Sequence, residues 1–541
     1  MAMNKIFDWK WLLFLIIILA FFLRIYRINN LPDSLNPDEA AIGYTSYSLL
    51  MSGADEHGKF LPLSLQSFGD WKLPLYSYLG VISVALFGLN EFSVRSISML
   101  SGAIGALLIY FIGNLLFGKR SIALISALFF AISPWNIYFS RAAYEVNLAT
   151  TIFLGGFLTL LQYFQKKKAK YLFLSFILFG ITMFTQHNYI IFTPFYVFTV
   201  LVLFRKNISY TRRLYVAISL FAILITASYM SIVAGGGKKI SNLNMFNDRN
   251  IIYNRAERLR SDNSPKNNSL ERIVHTKYSG GAYQFVLNYL NSYSPNFLFD
   301  KGGEKLVHNI GDVGYFYIFD VFLVVVGLAF LLWNKERRPL LLLVPWLLIA
   351  PIPSAITREL SGTRLFTIVP VFVLIASYGA YKIITIWKKD KLKHIACGIV
   401  SLLVVGSFVY FLEYYFVHFN YQRIRFWRYG YREVVKLTDK YPTYNVVMRG
   451  PENFPYIYFL FYEKYNPYQF RKEVTYYPPT SEGFYYVKSF GRYQFVDKID
   501  YLHLAKNTVY IDDIRLNYKQ QPIFLPSGEP ILGYIIVDNK K

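Results

Sequence analysis

The sequence is poor in cysteine and in charged residues. Cys397 is the one cysteine in 541 residues, so an internal disulfide and a cysteine-based metal site are both excluded. Only 17% of the residues are charged, against about 25% in a typical soluble chain. No internal repeat is evident, which disfavours transporters built from duplicated halves. Cys397 lies within an apolar run, where we predict a small core residue.

Apolar and aromatic residues are abundant instead. The chain is 54% hydrophobic and contains 48 Phe and 46 Tyr. Uncharged apolar runs of roughly 15–25 residues recur along it, which is the length that a membrane-spanning helix needs. The runs lie at about 11–23, 74–88, 95–117, 121–139, 146–164, 171–186, 189–204, 214–233, 314–333, 340–356, 365–387 and 394–417. The sequence therefore predicts a polytopic α-helical membrane protein.

The net charge of +24 is concentrated in short basic clusters between these runs. The clusters lie at 166–170, 205–206, 212–213, 335–338 and 388–393. Lysine and arginine gather in this way in cytoplasmic loops of membrane proteins. No motif that reads a nucleic-acid groove accompanies them, so nucleic acid is not an expected partner.

If the basic clusters lie on the cytoplasmic side, the long polar segments lie on the outer face of the membrane. The first run lacks a small-residue cleavage site, so we expect it to be an uncleaved span with a cytoplasmic N-terminus. Segments 28–73, 234–313 and 419–541 are then extracytoplasmic. We predict 11 or 13 spans, because an even number would put both termini on one side. Segment 74–88, which is the shortest, and segment 121–139, which Pro134 interrupts, are the doubtful spans.

We divide the chain into a transmembrane domain, 1–418, and an extracytoplasmic C-terminal domain, 419–541. Within the latter, 445–448, 508–511 and 531–537 have the composition of strands. Residues 431–440 have the pattern of an amphipathic helix. The sequence thus predicts a small soluble α/β domain after the last span.

The stretch Asn36-Pro37-Asp38-Glu39 is the first candidate site. Two carboxylates at the membrane surface suit a general base and a supporting charge. The alternative is an ordinary helix start, with Asn36 as N-cap, proline next and acidic residues in the first turn. Both interpretations are open, and they are compatible.

Basic residues follow at two places in the predicted outer segments. Lys72, in Lys72-Leu73-Pro74-Leu75, suits a phosphate ligand, or an interfacial lysine whose head group reaches water. Arg141 and Glu145 are four residues apart, so on one helix they would share a face and pair. The alternative is a functional role, since charges at the mouth of a membrane bundle are rare.

Three further residues complete the candidates. His187 lies between two apolar runs and is either a phosphate ligand or a satisfied core histidine. Arg358 and Arg364 lie on the face that should be poor in arginine, which favours a role in binding an anion.

Together these motifs resemble the GT-C superfamily of membrane glycosyltransferases, in particular the branch of the protein O-mannosyltransferases and aminoarabinose transferases. The matching features are Asp38-Glu39 in the first outer loop, Lys72 before Pro-Leu, Arg141 followed by Glu145, and Arg364 before a proline-containing span. The resemblance covers roughly 10–420. Because each motif is short, the resemblance rests on the order of the motifs and on their placement in the loops.

The resemblance implies an inverting transfer of a sugar from a polyprenyl-phosphate-linked donor. The acceptor is a protein, a lipid or a surface glycan. Asp38 would be the general base, and Glu39 and Glu145 would orient the reacting groups or contact the acceptor. Lys72, Arg141, His187, Arg358 and Arg364 would bind the donor phosphate. The branch works without a catalytic metal, so we expect neither a metal nor another cofactor.

Three alternatives remain. An oligosaccharyltransferase or ligase would transfer a preassembled glycan, and a flippase or transporter would move lipid-linked sugars across the membrane. In a non-catalytic scaffold, Asp38 would be only a helix start. Under the main hypothesis the protein lies in the plasma membrane of a prokaryote, in contact with membrane lipids, with its active site outside.

Overall fold

The computed structural model describes residues 8–208, 211–234, 277–303, 305–357, 359–480, 483–514 and 518–538. The chain divides into two compact units. Unit 1 consists of Met1–Ala20, Gly102–Ile137 and Ala149–Val409, and unit 2 of Phe21–Ser101, Tyr138–Leu148 and Tyr410–Lys541. The predicted boundary at 418 stays a prediction. Most of the predicted outer loop 234–313 lies outside the described residues.

Helices dominate the described part of the chain. Up to the last apolar run they are α1 (Trp9–Ile25), α2 (Pro37–Ser52), α3 (Leu75–Phe87), α4 (Glu91–Phe117), α5 (Arg120–Ile132), α6 (Pro134–Ser140), α7 (Glu145–Lys166), α8 (Ala169–Thr182), α9 (Asn188–Leu203), α10 (Arg212–Ala234), α11 (Lys277–Asn291), α12 (Ile318–Trp333), α13 (Arg337–Ile349), α14 (Ile352–Ala355), α15 (Gly362–Leu365), α16 (Val369–Thr385) and α17 (Asp390–Glu413). After it come α18 (Phe419–Gln422), α19 (Tyr431–Thr438), α20 (Tyr456–Tyr462) and α21 (Pro467–Glu473).

These helices confirm the prediction of a polytopic membrane protein. Among the described residues, 6 helices are long and apolar enough to cross a membrane, or up to 7 if each bent pair counts as one span. Shorter apolar helices are α3, α8, α9 and α12. Pro134 does interrupt its span, because α5 and α6 meet there at 55°. The count of 11 or 13 spans stays a prediction.

Aromatic side chains fill the core of unit 1. Trp346 on α13 is almost fully buried, and its Nε1 donates to the carbonyl of Thr367 at 2.8 Å. The rings of Phe153 and Phe157 on α7 pack edge-on against it at 4.9 and 5.2 Å. A bonded indole surrounded by rings satisfies both the polar and the apolar parts of the tryptophan.

Cys397 corrects one expectation. It is exposed, because the helix that carries it, α17, presents most of its surface outward: only 11% of its apolar window is buried. An apolar run in a membrane helix faces lipid as readily as protein, so hydrophobicity alone did not identify a core position.

Unit 2 contains two sheets. A two-stranded hairpin joins β1 (Leu65–Ser67) to β2 (Asp70–Lys72). The larger sheet has seven strands in the order β4-β5-β6-β3-β7-β9-β8. Its strands are β3 (Asn445–Arg449), β4 (Thr475–Tyr476), β5 (Val487–Phe490), β6 (Tyr493–Val496), β7 (Thr508–Asp512), β8 (Gln521–Phe524) and β9 (Pro530–Val537).

The central strand β3 pairs in parallel with β6 and β7, and the other pairings are antiparallel. The three predicted strands correspond to β3, β7 and β9, and the predicted helix to α19. The expectation of a C-terminal α/β region is therefore confirmed. The four short strands β4, β5, β6 and β8 were not predicted.

Candidate active site

The start of α2 fixes the first candidate carboxylates. The Asn36 side chain accepts from the backbone N–H of Glu39 at 3.0 Å, and the Glu39 carboxylate accepts from the N–H of Asn36 at 3.2 Å. This reciprocal capping box, with Pro37 at the first helical position, satisfies donors that a helix start leaves open. Asp38 and Glu39 therefore leave the helix in fixed and different directions.

Asp38 forms an ion pair with Lys72. The Lys72 Nζ donates to Asp38 Oδ1 at 2.6 Å. The side chain of Asp38 is 61% exposed, whereas that of Lys72 is 8% exposed. The structure thus brings these two predicted residues together, with the carboxylate toward solvent and the ammonium stem buried.

The β1–β2 hairpin positions Lys72. Lys72 lies opposite Leu65 in the antiparallel register, and the turn residues Phe68 and Gly69 both have positive φ, 59° and 85°. A side chain at Gly69 would place its Cβ 2.2 Å from the carbonyl oxygen of Gly483, so only glycine fits this approach. The N–H of Tyr485 donates to the carbonyl of Phe68 at 3.2 Å. The C-terminal region therefore holds the hairpin that carries Lys72.

Glu39 points into the interior and pairs with Arg95 of α4. Arg95 Nε donates to Glu39 Oε1 at 3.0 Å, and Arg95 also donates to the carbonyls of Ile28 and Pro32 at 2.7 and 2.9 Å. Glu39 Oε1 further accepts from the N–H of Ala143 at 2.9 Å. Because both side chains are almost fully buried, the pair ties the segment that follows α1 to α2 and to the turn at Ala143.

Arg141 lies in the turn between α6 and α7 and is fully buried. Its guanidinium donates to the carbonyls of Leu23 and Leu31 at 2.8 and 3.0 Å and lies 5.0 Å from the ring centroid of Phe416. Glu145 is half-buried and begins α7. The premise that Arg141 and Glu145 share a helix was therefore wrong, since the helix starts only at Glu145. Their predicted roles stay predictions.

A buried cluster of ionisable groups holds the loop between α2 and β1. Glu56 Oε1 accepts from the Tyr456 hydroxyl at 3.0 Å and lies 3.2 Å from His57 Nε2. Arg471 donates to the carbonyl of Asp55 at 3.0 Å. Burial raises the pKa of Asp55. Burial alone would lower the pKa of His57, but the hydrogen bond and charge of Glu56, with the charge of Asp55, raise it overall.

Two other predicted residues lie in unit 1. His187 is the N-cap residue of α9 and is half-buried. Arg364, on α15, donates to the Thr357 hydroxyl at 3.0 Å, and its carbonyl accepts from the Asn188 side chain at 3.0 Å. The structure thus joins the first residue of α9, next to His187, to the short helix that carries Arg364. Arg358 lies outside the described residues.

Sequence reasoning missed two residues at these places. Arg95 was read as part of an apolar run, and only the tertiary contact with Glu39 reveals its importance. His308 Nδ1 lies 3.5 Å from the Ser361 hydroxyl, beside the Arg364 turn, and the sequence around it carries no motif. Over the described ranges, no three or more His, Cys, Asp or Glu side chains are grouped to hold a metal ion.

Comparisons with known proteins agree with this fold. Residues 72–231 match the family model of dolichyl-phosphate-mannose-protein mannosyltransferases. This segment begins at Lys72 and includes Arg141, Glu145 and His187. A comparison with curated proteins gives no match.

Several solved structures are similar to the chain. The Archaeoglobus fulgidus oligosaccharyltransferase tethered with an acceptor peptide gives a TM-score of 0.52 at 12% identity, covering 85% of this chain and 64% of that one. The archaeal oligosaccharyltransferase AglB from the same organism, with an inhibitory peptide and a dolichol-phosphate, gives 0.50 at 13%, covering 83% and 63%. ArnT from Cupriavidus metallidurans bound to undecaprenyl phosphate gives 0.49 at 10%, covering 97% of each chain.

The chain is a multi-pass membrane protein with the fold of these solved structures. Over residues 72–231 it matches the mannosyltransferase family model, in agreement with the resemblance that its motifs carry. It spans less than two thirds of the length of the archaeal enzymes, 64% and 63%. At identities this low, the structural likeness concerns the fold.

Proposed function

We propose that the chain is an inverting glycosyltransferase that moves a sugar from a polyprenyl-phosphate-linked donor to an acceptor hydroxyl. The observation that carries the proposal is the Asp38–Lys72 pair, which places a solvent-facing carboxylate 2.6 Å from an ammonium on a GT-C fold. A carboxylate suits proton removal, and a lysine suits a phosphate. The acceptor is a protein, a lipid or a surface glycan.

In the proposed reaction Asp38 acts on the acceptor hydroxyl, and Lys72 acts on the donor phosphate. Asp38 takes the proton of the acceptor hydroxyl, and the hydroxyl oxygen attacks the anomeric carbon from the face opposite the phosphate. The bond between that carbon and the phosphate oxygen breaks, and its electrons leave with the lipid phosphate. Lys72 stabilises the negative charge of the departing phosphate.

The ion pair between Asp38 and Lys72 suggests an order for substrate binding and proton removal. While Lys72 donates to Asp38, neither group is available to a substrate. We infer that the donor phosphate draws Lys72 away and thereby frees the carboxylate to act as base. Donor binding would then precede proton removal.

The remaining predicted residues take supporting roles in the proposal. Glu39 orients Asp38 through the capping box, and its contact with Ala143 N–H fixes the turn that leads to Glu145. Arg141, His187, Arg358 and Arg364 stay candidate phosphate ligands. Each is to be tested by its effect on the KM for donor.

Two similar structures support the proposed kind of substrate. One archaeal structure contains a dolichol-phosphate, and another is tethered with an acceptor peptide. We propose a polyprenyl-phosphate donor for this chain as well. We also propose that it lies in the plasma membrane with its N-terminus inside, and with the active site and C-terminal region outside, as the basic clusters indicate.

The test is sugar transfer by purified protein with a panel of polyprenyl-phosphate monosaccharides and one lipid-linked oligosaccharide. We expect Asp38→Asn to lower the rate by roughly 10²–10⁴ while remaining folded. The matched control is Asn36→Ala, which weakens the helix start by about 1 kcal/mol but leaves the carboxylate. If Asp38 were only part of the helix start, both variants would behave alike.

The donor panel separates the alternatives. Transfer of the oligosaccharide alone would identify an oligosaccharyltransferase or ligase. Donor translocation in proteoliposomes, without release of lipid phosphate, would identify a flippase. Either result would contradict the proposed function.

A further inference from the structure

The C-terminal region of unit 2 contains an open polar groove away from the residues proposed for catalysis. Its volume, including the open mouth, is about 940 Å³. Its lining includes Asp439, Glu463, Tyr465, Gln469, Gly491 and Arg492. A concave site with converging polar groups is a candidate for ligand binding, and none of these residues belongs to the predicted active site.

One wall of the groove is acidic. Glu463 is 17% exposed and accepts from the Tyr493 hydroxyl, and burial raises its pKa. Asp439 stands exposed beside it. The guanidinium of Arg492 donates to the carbonyls of Tyr441 and Thr438, at 2.6 and 3.2 Å, and lies 3.7 Å from the Glu463 carboxylate. Its charge is thus already engaged, and the exposed Asp439 leaves the wall acidic. The wall therefore disfavours an anionic ligand.

The other wall offers a phenol and an amide. The Tyr465 hydroxyl donates to Glu473 at 2.6 Å, and Gln469 Nε2 donates to the same carboxylate at 2.9 Å. Glu473 thereby holds both side chains in place. Between the walls lies Gly491, where a Cβ would come 2.8 Å from the Tyr465 hydroxyl oxygen.

Hydrogen-bond acceptors and donors thus face each other across the groove. Carboxylates, the Gln469 amide oxygen and the Tyr465 phenol oxygen accept, while the second N–H of the Gln469 amide donates, because the phenol proton is already given to Glu473. A cation would need acceptors only. Sugar hydroxyls both donate and accept, so a hydroxyl-rich ligand matches both walls.

We propose that this groove binds a neutral carbohydrate chain. Carbohydrate binding by the groove does not require catalysis. The further role of the groove, as a subsite for a glycan acceptor, rests on the proposed function, because only a transferase would use the groove to hold an acceptor.

The test is isothermal titration of the full chain in lipid nanodiscs, since sugar-based detergents would compete. The probes are the trisaccharides of mannose, N-acetylglucosamine and glucose, with trilysine as a cationic comparison. We expect at least one trisaccharide to bind and trilysine to bind more weakly. Absence of trisaccharide binding, or preference for trilysine, would overturn the proposal.

Matched variants locate the binding. Gly491→Asn places a side chain in the groove at a positive φ that asparagine tolerates, and its control Gly528→Asn has the same backbone sign with nothing within 4 Å. Asp439→Asn removes a wall carboxylate, and Asp497→Asn removes an exposed one elsewhere. We expect each groove variant to weaken binding at least tenfold and each control to bind as the wild type. Equal binding by all four would refute the location.

The outcomes also distinguish this proposal from the proposed function. Sugar transfer without trisaccharide binding would reject the groove alone. Trisaccharide binding without turnover of any lipid donor would reject the transferase alone.

Discussion

The two carboxylates of the Asp38-Glu39 motif lie in different environments, one exposed and one buried. Adjacent residues on a helix point about 100° apart, so one start of α2 sends Asp38 to solvent and Glu39 into the interior. Each then meets a cation of its own, Lys72 for Asp38 and Arg95 for Glu39. The exposed pair is suited to chemistry, and the buried pair to holding the site in place.

The buried pair predicts a large loss of stability when one partner is removed. Arg95→Met leaves the Glu39 carboxylate buried without its cation, which typically costs about 3–5 kcal/mol. We expect a clearly lower Tm in thermal unfolding of the purified protein. The double variant with Glu39→Leu should regain part of the loss, because no charge then stays buried.

The control for this prediction is Lys393→Met. Lys393 pairs with Asp390 at 2.8 Å, but both side chains are substantially exposed. Exposed pairs contribute little, so we expect no measurable change in Tm. Equal Tm values for Arg95→Met and the wild type would contradict a stabilising role for the buried pair.

The raised pKa of His57 predicts a pH-dependent stability. A folded-state pKa above the ordinary value of 6.5 means that the folded protein holds the proton more tightly. The resulting stability is fully present below about pH 6.5 and is lost as the pH rises through the folded pKa. We expect the Tm difference between wild type and His57→Gln to be largest near pH 6 and to shrink toward pH 8. A difference that grows with pH would contradict the assignment.

The sequence revealed the site only in part at this scale. Asp38 was found because it stands at a helix start that cap residues mark, and Lys72 because it stands just before an apolar run. The partner of Glu39 was not found, since Arg95 is 56 residues away in sequence and no local pattern links the two. Arg141 was found, but its backbone-directed hydrogen bonds depend on carbonyls from the 23–31 segment.

Helix packing in unit 2 depends on close approach at one position of α2. A Cβ at Gly43 would lie 2.4 Å from a ring carbon of Phe461 on α20 and 2.7 Å from Val94 on α4. No side chain fits there without displacing both neighbours. The segment carrying Asp38 is therefore seated directly on an element of the C-terminal region.

This contact predicts opposite effects of one substitution at two glycines. Gly43→Ala should destabilise by about 1–3 kcal/mol through overpacking. Gly406→Ala on α17 meets nothing within 4 Å, so the better helix propensity of alanine should leave Tm unchanged or slightly higher. Thermal unfolding of both variants side by side is the measurement. A tolerated Gly43→Ala would show that α2 and α20 are less tightly packed than the structure indicates.

Individual helices and strands were easier to predict from the sequence than contacts between distant residues. Strands β3, β7 and β9 and helix α19 follow from strand composition and amphipathic periodicity, and Pro134 marks the break between α5 and α6. The apolar run predicted at 146–164 corresponds to α7, which begins at Glu145.

At the scale of the molecule, unit 2 is assembled from three separate stretches of chain. The loop with Asp38 and Lys72 and the C-terminal sheet belong to one compact body. Hydropathy predicts where a chain enters the membrane but not which polar segments pack together, so the division predicted at 418 stays a prediction. The candidate site depends on residues near both ends of the sequence.

The distribution of charge over the whole chain bears on the need for a metal. The acidic pair at the start of α2 is already engaged, Asp38 by Lys72 and Glu39 by Arg95. Under the proposed function, Lys72 would offset the charge of the departing phosphate, the role that a divalent ion plays in other transferases. We expect transfer to persist at an undiminished rate in excess EDTA, measured as release of lipid phosphate. Loss of transfer that Mn²⁺ or Mg²⁺ restores would show that the carboxylates exchange their lysine and arginine partners for a metal.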